Sequence, residues 1–381
     1  MPSMMRKLPM KKKALKIIIP GLAAIIVLLI AICLTVKNSI STMDFEDNTL
    51  FTVKEGKYGK AIFNDLEDHG IIKSGNMAYY YISHLTNETM DFKAGSYLLS
   101  PDMSVEEIIN TLCDSSKIYR PSSIIQIIEG ETVEEIAKTL SETLDVSYDD
   151  LMNYWDDEDI VRSYFDEYSV LTEDIFQTGV RHYLEGYLFP STYEIYNDAS
   201  LDEITCKFLD QTELIYEKYK DQFDNAPTYY NWANGRKQMM SVHEIFTLAS
   251  ICQWESGNSE DMPEIAGVFY NRLNDPDQGS ARLYSNVTAC YAQGLYKTEC
   301  TAIDNSLDMA YDDSEENQYY NTYNINDLPV SPICSPGEAA IAACLEPTET
   351  DYYYFVGYCG TTYYSTKAQG NEILSQYASG C

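Results

Sequence analysis

A run of twenty uncharged and mostly aliphatic residues, Ile17–Val36, constrains this chain more than any other feature. As a helix rising about 1.5 Å per residue, it would span the roughly 30 Å hydrocarbon core of a bilayer. Six Lys and Arg residues and no acidic residue precede it, which by the positive-inside rule places the N-terminus in the cytoplasm. A cleaved signal peptide has a shorter apolar region followed by a small-residue cleavage site, and Leu34–Ser39 offers no such site. We therefore predict a basic cytoplasmic tail at 1–16, a single transmembrane helix at 17–36 and a spacer at 37–48.

The part of the chain beyond Met43 is strongly acidic. It holds all 59 Asp and Glu residues but only 19 of the 26 Lys and Arg residues, because seven basic residues lie before it. Such a charge repels nucleic acid and anionic lipid and suits a neutral polymer substrate, although solubility at a cell surface would explain it equally well. The 33 Tyr residues offer flat faces that are useful against sugars and in any protein core.

The cysteine and histidine residues do not predict a metal site or a cofactor. The sequence has no Cys-x-x-Cys, and none of its four His residues stands at zinc spacing. Nine of the ten Cys residues lie beyond the apolar run, and an odd number cannot all pair within one chain. Cys290 and Cys300 are close enough in sequence to form a bridge, but free thiols in a reducing habitat fit equally well.

Three segments repeat a pattern of strand, turn and amphipathic helix. Their extended parts are Phe51–Val53, Tyr97–Leu99 and Ile124–Ile128, and two of the helices contain Val-Glu-Glu-Ile. These units predict a small α+β module at 49–145 that binds or spaces rather than performs chemistry. A connector follows at 146–235, with acidic helical segments, an edge strand within LEGYLFPSTYEI and a long helix at Leu201–Phe223.

Two helices joined by a polar turn are predicted at 241–273. Ser241 and Glu244 have the spacing of a capping box, and the apolar residues that follow predict one buried face. Gly257 and Asn258 are residue types that end helices in a left-handed conformation. The second helix is predicted to begin at Asp261–Glu264, with its proline in the first turn.

Glu255 is the anomaly of this helix pair. It follows Ile251 by four residues and Cys252 by three, so it lies on the apolar face of the helix rather than on the solvent-exposed face. An acid in that place is either a partnered structural residue or a catalytic one, and spacing alone favours the structural interpretation. The neighbouring acids stand at a helix start, where carboxylates are commonly partners of the helix dipole: Glu260, Asp261 and Glu264.

Further along, the sequence predicts one more helix, two β segments and a terminal helix. Ser335 is predicted to cap a helix that runs from Ala339 to Leu345. The β segments, Tyr352–Gly357 and Thr361–Ser365, are predicted to pair with each other, and the terminal helix lies near Lys367–Tyr377.

The order of motifs along the chain resembles the endolytic murein transglycosylase, or YceG-like, family. The motifs are LEGYLFPSTYEI, LASI-xx-WES-GN-xxD-xPEIAGVFYNRL, LYSN-xTACYA, YNTYN, LPVSPICSPGEAAIAA and DYYYFVG. The resemblance covers nearly the whole chain. It implies an α+β fold class, with the single transmembrane helix, a LysM-like module at 49–145 and a mixed α/β catalytic domain at 236–381. It also implies that Glu255 is the catalytic acid.

The chemistry implied by the resemblance needs only one acid. A lytic transglycosylase cleaves the MurNAc–GlcNAc β-1,4 bond of nascent peptidoglycan when the 6-hydroxyl of the MurNAc ring attacks its own anomeric carbon, giving 1,6-anhydro-MurNAc ends. Glu255 would protonate the leaving oxygen and then accept the proton of that hydroxyl. Burial among apolar side chains would keep it protonated beforehand.

The candidates for glycan binding share an aromatic face or a polar group suited to sugars. They are Tyr270, Asn271, Ser285, Asn286, Tyr320, Asn321 and Tyr323. For Tyr270 and Asn271 the alternative is helix-end packing, and for Tyr320–Tyr323 it is a structural turn. Arg272 is interpreted as a structural residue outside the site.

The chain departs from the family pattern at several positions. Gln253 stands where the family has a second Glu, Asn286 and Val287 stand in place of Asp-Pro, and a His of the final strand is replaced near Tyr363 and Tyr364. These departures leave open a non-catalytic peptidoglycan-binding scaffold, and a hydrolase that uses water is a third reading. The expected partners are glycan strands, the bacterial cell membrane and the cell-wall synthesis machinery, with the catalytic domain extracytoplasmic.

Overall fold

The computed structural model describes residues 26–27, 41–42, 47–86, 90–232, 234–275, 282–302, 317–358 and 361–370. Within these ranges no helix is long and apolar enough to cross a bilayer. The predicted basic tail and most of the predicted span at 17–36 and of the spacer at 37–48 lie outside the described residues. The chain forms two compact units, Met1–Arg120 and Pro121–Cys381.

The smaller unit contains the first two of the three repeated segments. Its strands β1 (Thr49–Val53) and β2 (Gly95–Leu99) pair antiparallel. Its helices are α1 (Lys60–Asp68), α2 (Gly75–Leu85) and α3 (Val105–Cys113). The apolar faces of these elements enclose a core of their own, with Phe51, Phe63, Leu66, Ile108 and Leu112 fully buried.

The third repeated segment belongs to the larger unit. Strand β3 (Ser122–Gln126) pairs antiparallel with β4 (Thr192–Tyr196), the strand predicted within LEGYLFPSTYEI. Helix α4 (Val133–Thr143) follows β3 and begins with a capping box. The strand–turn–helix pattern is therefore confirmed in all three segments. The boundary between the units falls inside the 49–145 range, and the LysM-like character of that range stays a prediction.

Most of the regular secondary structure in the 146–235 range is helical. It holds α5 (Tyr148–Trp155), α6 (Glu158–Ser163), α7 (Leu201–Lys218) and α8 (Lys220–Phe223), with a short 3-10 turn at Glu173–Phe176. The single helix predicted at 201–223 is interrupted, because Tyr219 has a non-helical φ of −107°. The hairpin of β5 (Thr228–Asn231) and β6 (Arg236–Met239) then leads into the next helix.

Helix α9 (Val242–Glu255) lies at the centre of the larger unit. The capping box at its start is confirmed: Ser241 Oγ accepts from the Glu244 amide at 3.2 Å, and the Glu244 carboxylate accepts from the Ser241 amide at 2.7 Å. The prediction of one buried face is wrong, because His243 and every residue from Ile245 to Trp254 are buried. Helices α10 (Met262–Leu273) and α14 (Glu338–Leu345) pack against α9, so little of the surface of α9 is exposed to solvent.

The turn after α9 differs from the prediction, whereas the start of α10 agrees with it. Neither Gly257 nor Asn258 has a positive φ. The Asn258 side chain instead accepts from the amides of Glu260 and Asp261 at 2.9 and 3.1 Å, which satisfies the turn without a left-handed residue. Helix α10 begins after Asp261 with its proline in the first turn, as predicted.

The last elements complete the larger unit. Helices α11 (Asn286–Ala292), α12 (Lys297–Ala302) and α13 (Asn317–Tyr320) precede α14, and β7 (Tyr352–Tyr358) pairs with β8 (Thr361–Thr366), as predicted. The cap predicted at Ser335 is wrong. Its amide donates to Glu131 and its carbonyl accepts from Gly130, so the chain stays extended and Gly337 becomes the N-cap. Of the terminal helix predicted near Lys367–Tyr377, the described residues Lys367–Gly370 form a turn instead, and the rest lies outside the described residues.

The close approach of α10 to Thr348 gives a stability prediction. A Cβ atom added at Gly267 would overlap the Thr348 carbonyl oxygen, whereas one added at Gly257 would meet no atom within 4 Å. We expect Gly267→Ala to lower the free energy of unfolding by about 1–3 kcal/mol through overpacking. Urea unfolding followed by tryptophan fluorescence measures this, because all 3 Trp residues lie in the larger unit. Gly257→Ala is the matched control, and an equal loss in both variants would contradict the packing argument.

Candidate active site around Glu255

Glu255 is the last residue of α9 and is partly buried. Two side chains on the same turn fix the end of the helix. Trp254 Nε1 donates to the Gly130 carbonyl at 2.8 Å, and Gln253 Oε1 accepts from the Gly337 amide at 3.0 Å. Gln253 is thus engaged with the N-terminus of α14 and makes no hydrogen bond to Glu255. The carboxyl group is held on a rigid helix end.

Ser285 is the hydrogen-bond partner of this carboxyl group. Its Oγ donates to Glu255 Oε1 at 2.5 Å. Ser285 is the residue before α11, but its hydroxyl does not cap that helix, so it is available to Glu255. The Ser285 amide donates to Thr322 Oγ1 at 2.9 Å, and Thr322 contacts Thr288 Oγ1 at 3.0 Å. This buried threonine pair holds Ser285 in place.

The pKa of Glu255 is raised above the usual value of a glutamic acid. Burial is the main cause, because it disfavours the charged form. The Ser285 hydrogen bond and the charges of Arg272 and Lys297 act in the opposite direction but do not cancel it. Among the groups that act on this pKa in the described part of the chain, none is a carboxylate. The arrangement favours the protonated acid more than solvent does, and the anion has positive charge nearby.

Arg272 approaches the site from α10. Its side chain is 8% exposed, and it donates to the Tyr353 carbonyl at 2.9 Å and to the Leu283 carbonyl. Through these bonds it joins α10 to β7 and to the chain before Ser285. The interpretation of Arg272 as structural agrees with these contacts, but its charge also acts on Glu255. Sequence spacing gave no sign of that second effect.

Lys297 approaches from α12. Its Nζ donates to the Gln253 carbonyl at 2.8 Å, on the last turn of α9. Burial lowers its pKa, while the negative charge of Glu255 acts to raise it. Lys297 was not singled out from the sequence, and nothing local to it points to α9.

Two of the predicted glycan-binding residues donate hydrogen bonds to backbone carbonyls within the larger unit. Tyr270 is 7% exposed, and its hydroxyl donates to the Cys344 carbonyl at 2.8 Å. Asn271 Nδ2 donates to the carbonyls of Thr350 and Tyr352 at 2.9 and 2.8 Å, which ties α10 to β7. These contacts correspond to the packing alternative for both residues, and we do not place either in a groove.

Tyr320 and Asn321 also face inward. The Tyr320 hydroxyl lies 2.7 Å from Ser331 Oγ and accepts from the Arg181 amide at 3.0 Å. The Asn321 side chain is fully buried and accepts from the Tyr323 amide at 3.0 Å. Tyr320 and Arg181 line a cavity of about 520 Å³ that does not include Glu255. These contacts agree with the structural-turn alternative for Tyr320 and Asn321.

Asn286 and Tyr323 lie together beside Ser285. The Tyr323 hydroxyl donates to Asn286 Oδ1. Tyr284 meets the Tyr323 ring edge-on with centroids 5.7 Å apart, and it is 41% exposed with a positive φ of 52°. A positive φ in a large residue is uncommon and concentrates at functional sites. Tyr284, which is not among the residues predicted to bind glycan, is therefore an exposed ring next to the site.

The acids closest to Glu255 in sequence have other environments. Glu260 is exposed at the turn, and Asp261 accepts from Asn258 Nδ2 at 2.9 Å and from Thr362 Oγ1 at 2.5 Å. Neither makes a hydrogen bond to Glu255 or Ser285. Unlike Glu260 and Asp261, Glu255 combines a buried hydroxyl donor with the charges of two cations.

Comparison with known proteins places the chain in a family. A family model described as YceG-like matches residues 51–373. Endolytic murein transglycosylases from Bacillus subtilis (strain 168) and Streptococcus pneumoniae serotype 2 are each 29% identical over 88% of this chain, covering 86% and 60% of their own lengths. A crystal structure of a YceG-like protein from Listeria monocytogenes matches with a TM-score of 0.56 at 29% identity, over 86% of this chain and 100% of that one. Since the family model covers most of the sequence, this chain belongs to the YceG-like family.

Proposed function

We propose that this protein is an endolytic murein transglycosylase, with Glu255 as its general acid and base. The observation that carries the proposal is the environment of Glu255: a partly buried carboxyl with a raised pKa, one hydroxyl donor and two nearby cations. The activity named for its relatives in B. subtilis and S. pneumoniae supports the same reaction class.

The reaction balances with one acid and no water. Protonated Glu255 donates its proton to the glycosidic oxygen as the bond from MurNAc C1 to that oxygen breaks. The 6-hydroxyl oxygen of the same MurNAc forms a new bond to C1, and its proton passes to the Glu255 carboxylate. Glu255 is protonated again at the end, and the products are a GlcNAc 4-hydroxyl and a 1,6-anhydro-MurNAc end.

The surrounding groups have defined tasks in this scheme. Ser285, Arg272 and Lys297 stabilise the carboxylate that exists between the two proton transfers, while burial raises the pKa of the group and so favours its protonated form. The exposed Tyr284 ring, with Tyr323 and Asn286 beside it, supplies the aromatic face and amide that a sugar ring requires. These three residues replace Tyr270, Asn271, Tyr320 and Asn321 as the proposed glycan contacts.

The cellular setting remains the one predicted from the sequence. We propose that the 17–36 segment anchors the protein in the bacterial cell membrane, with the N-terminus in the cytoplasm and the chain that follows the segment outside. There, the LysM-like module at 49–145 would hold nascent glycan strands, and the cell-wall synthesis machinery is the expected partner.

One experiment separates this proposal from its alternatives. The full chain in detergent is incubated with purified uncrosslinked glycan strands, and the strand ends are identified by mass spectrometry. Internal 1,6-anhydro ends support the proposal. Reducing ends that have gained water support a hydrolase instead, and sedimentation with glycan without any cutting supports a scaffold.

Ser285→Ala tests the hydrogen bond to Glu255 through the pH dependence of cutting. The bond favours the carboxylate, so its loss raises the pKa of Glu255 further. A general acid is active while protonated, so we expect the alkaline limb of the pH–rate profile to move upward by about one unit. Ser163→Ala removes an exposed hydroxyl that bonds only to Ile160 and is the control. A downward shift or an unmoved limb in Ser285→Ala would contradict the assignment.

A further inference from the structure

Lys297 contacts a backbone carbonyl of α9 rather than a carboxylate. The chain has 59 acidic residues, yet in its described part no carboxylate lies within ion-pair distance of Lys297. Its ammonium group instead donates to the Gln253 carbonyl, 2.8 Å away. The last four carbonyls of a helix have no partner within the helix, and their partial negative charge favours a cation. Lys297 therefore fixes the turn that carries Glu255.

A disulfide holds Lys297 in this place. Cys290 on α11 is bonded to Cys300 on α12, with their Cα atoms 5.7 Å apart. Helix α12 has only six residues, too few to be stable by itself, and Cys290 packs with Ala289, Leu295 and Cys300 in a small cluster. The bridge therefore ties the helix that carries Lys297 to the helix that follows Ser285. The sequence alone left this pairing and free thiols as equal alternatives.

We infer that Lys297 is a positioning residue for Glu255, held in register by the Cys290–Cys300 disulfide. Its ammonium group orients the last turn of α9 and stabilises the carboxylate that forms when Glu255 gives up its proton. The inference rests on the proposed role of Glu255 in transglycosylation, and it adds a residue and a redox-sensitive bond to that site.

The effect of removing Lys297 on the pKa of Glu255 depends on the other groups that face this carboxyl. Arg272 from α10 and Lys297 from α12 are the cations, Ser285 before α11 is a neutral donor, and the Cys252 thiol lies on α9 itself. The thiol is buried and its pKa is raised well above its usual value, so it stays neutral. Without Lys297, Arg272 remains the only cation among these groups.

The first test is the pH–rate profile of the full chain with the Lys297→Met substitution. We expect the alkaline limb to move upward by about half a unit to one unit, with kcat lowered about three- to tenfold and KM within about twofold of the parent. Lys297→Arg keeps the charge and is expected to restore the parent profile. Lys220→Met removes a lysine that pairs with Glu217 at the surface and controls for the change in net charge. An unmoved limb in Lys297→Met, or an equal shift in Lys220→Met, overturns the inference.

The second test connects Lys297 to the disulfide. The Cys290→Ser/Cys300→Ser variant is expected to shift the limb in the same direction when Lys297 is present and to add nothing when Lys297→Met is already in place, since coupled residues are non-additive. A phosphine reductant should shift the parent profile and leave the double-serine variant unchanged. Equal effects of the serine substitutions in both backgrounds would show that the bridge does not act through Lys297.

A stability measurement separates this inference from the proposed function. The folded pKa of Glu255 lies above its unfolded value, so the fold loses stability as pH rises from the unfolded to the folded pKa, and Glu255→Gln lacks this loss. The difference in urea midpoint between the parent and Glu255→Gln is therefore recorded against pH, with Lys297 and with Lys297→Met. The pH at which this difference begins to change marks the titration of Glu255. If that pH is higher in Lys297→Met although no glycan is cut, the inference stands and the proposed function fails. If the difference begins to change at the same pH with Lys297 and with Lys297→Met, the inference is refuted whether or not glycan is cut.

Discussion

Replacement of Glu255 by glutamine is expected to lower the rate of glycan cutting by about two to four orders of magnitude, the usual contribution of a general acid–base group. Glutamine keeps the shape of the side chain and can still accept from Ser285 Oγ. It has no proton to give to the leaving oxygen and no carboxylate to receive the proton of the 6-hydroxyl. The measurement is the rate at which 1,6-anhydro ends appear, by mass spectrometry, with the full chain and purified glycan strands.

The matched control for this prediction is Glu260→Gln. Glu260 lies five residues further along and is exposed, so the same loss of charge occurs without a change in the site. We expect it to cut at nearly the parental rate. Binding of glycan by sedimentation should persist in both variants. A Glu255→Gln protein that cuts as well as the parent would remove Glu255 from the mechanism regardless of the product formed.

Replacement of Arg272 by methionine is expected to give the largest loss of stability. The guanidinium group donates to the buried carbonyls of Tyr353 and Leu283, and methionine fills the apolar part of the space without any donor. An unsatisfied buried polar group costs about 1–3 kcal/mol, so two of them predict a loss of about 2–6 kcal/mol. The midpoint of urea unfolding, followed by tryptophan fluorescence of the larger unit, measures this loss.

Arg162→Met is the control for Arg272→Met. Arg162 makes ion pairs with Glu158 and Glu173 near the surface, where solvent screens the charges. Its replacement should leave the unfolding midpoint close to that of the parent. A similar midpoint in Arg272→Met would mean that the two carbonyls find other partners and that Arg272 does not hold β7 to α10.

Arg272→Met also has a consequence for the pKa of Glu255. Loss of the positive charge that opposes burial raises this pKa further, so activity at high pH should persist in whatever fraction of the protein stays folded. Measurement of the pH–rate profile well below the unfolding midpoint separates this effect from the loss of stability.

Several elements were predictable because their signals are local. The capping box of Ser241 and Glu244 marks the start of α9, and the proline after Asp261 marks the start of α10. Both signals act over three or four residues, so surrounding structure hardly alters them. Local signals failed where distant backbone intervened. Ser335 looks like a cap, but its backbone pairs with Gly130 and Glu131, and the helix begins only after Gly337.

The resemblance to the family predicted Glu255 as the acid of the candidate site, but the residues around it were predicted much less well. Tyr270 and Asn271 have side chains that suit a sugar. Both instead donate hydrogen bonds to backbone carbonyls, Tyr270 to α14 and Asn271 to Thr350 and to the first residue of β7. Tyr284 lies in the LYSN-xTACYA motif, but its exposure and positive φ are visible only in three dimensions, and it was not among the predicted glycan-binding residues.

Local sequence was enough to predict where α9 and α10 begin, that Glu255 ends α9, and which family pattern the chain follows. These features depend on residues within a turn or two of each other. The surroundings of Glu255 depend on the fold, because its partners come from separate elements. Ser285, for example, lies 30 residues further along the chain. A buried carboxyl takes its proton affinity from the groups that folding brings to it, and no local pattern encodes which side chains those are.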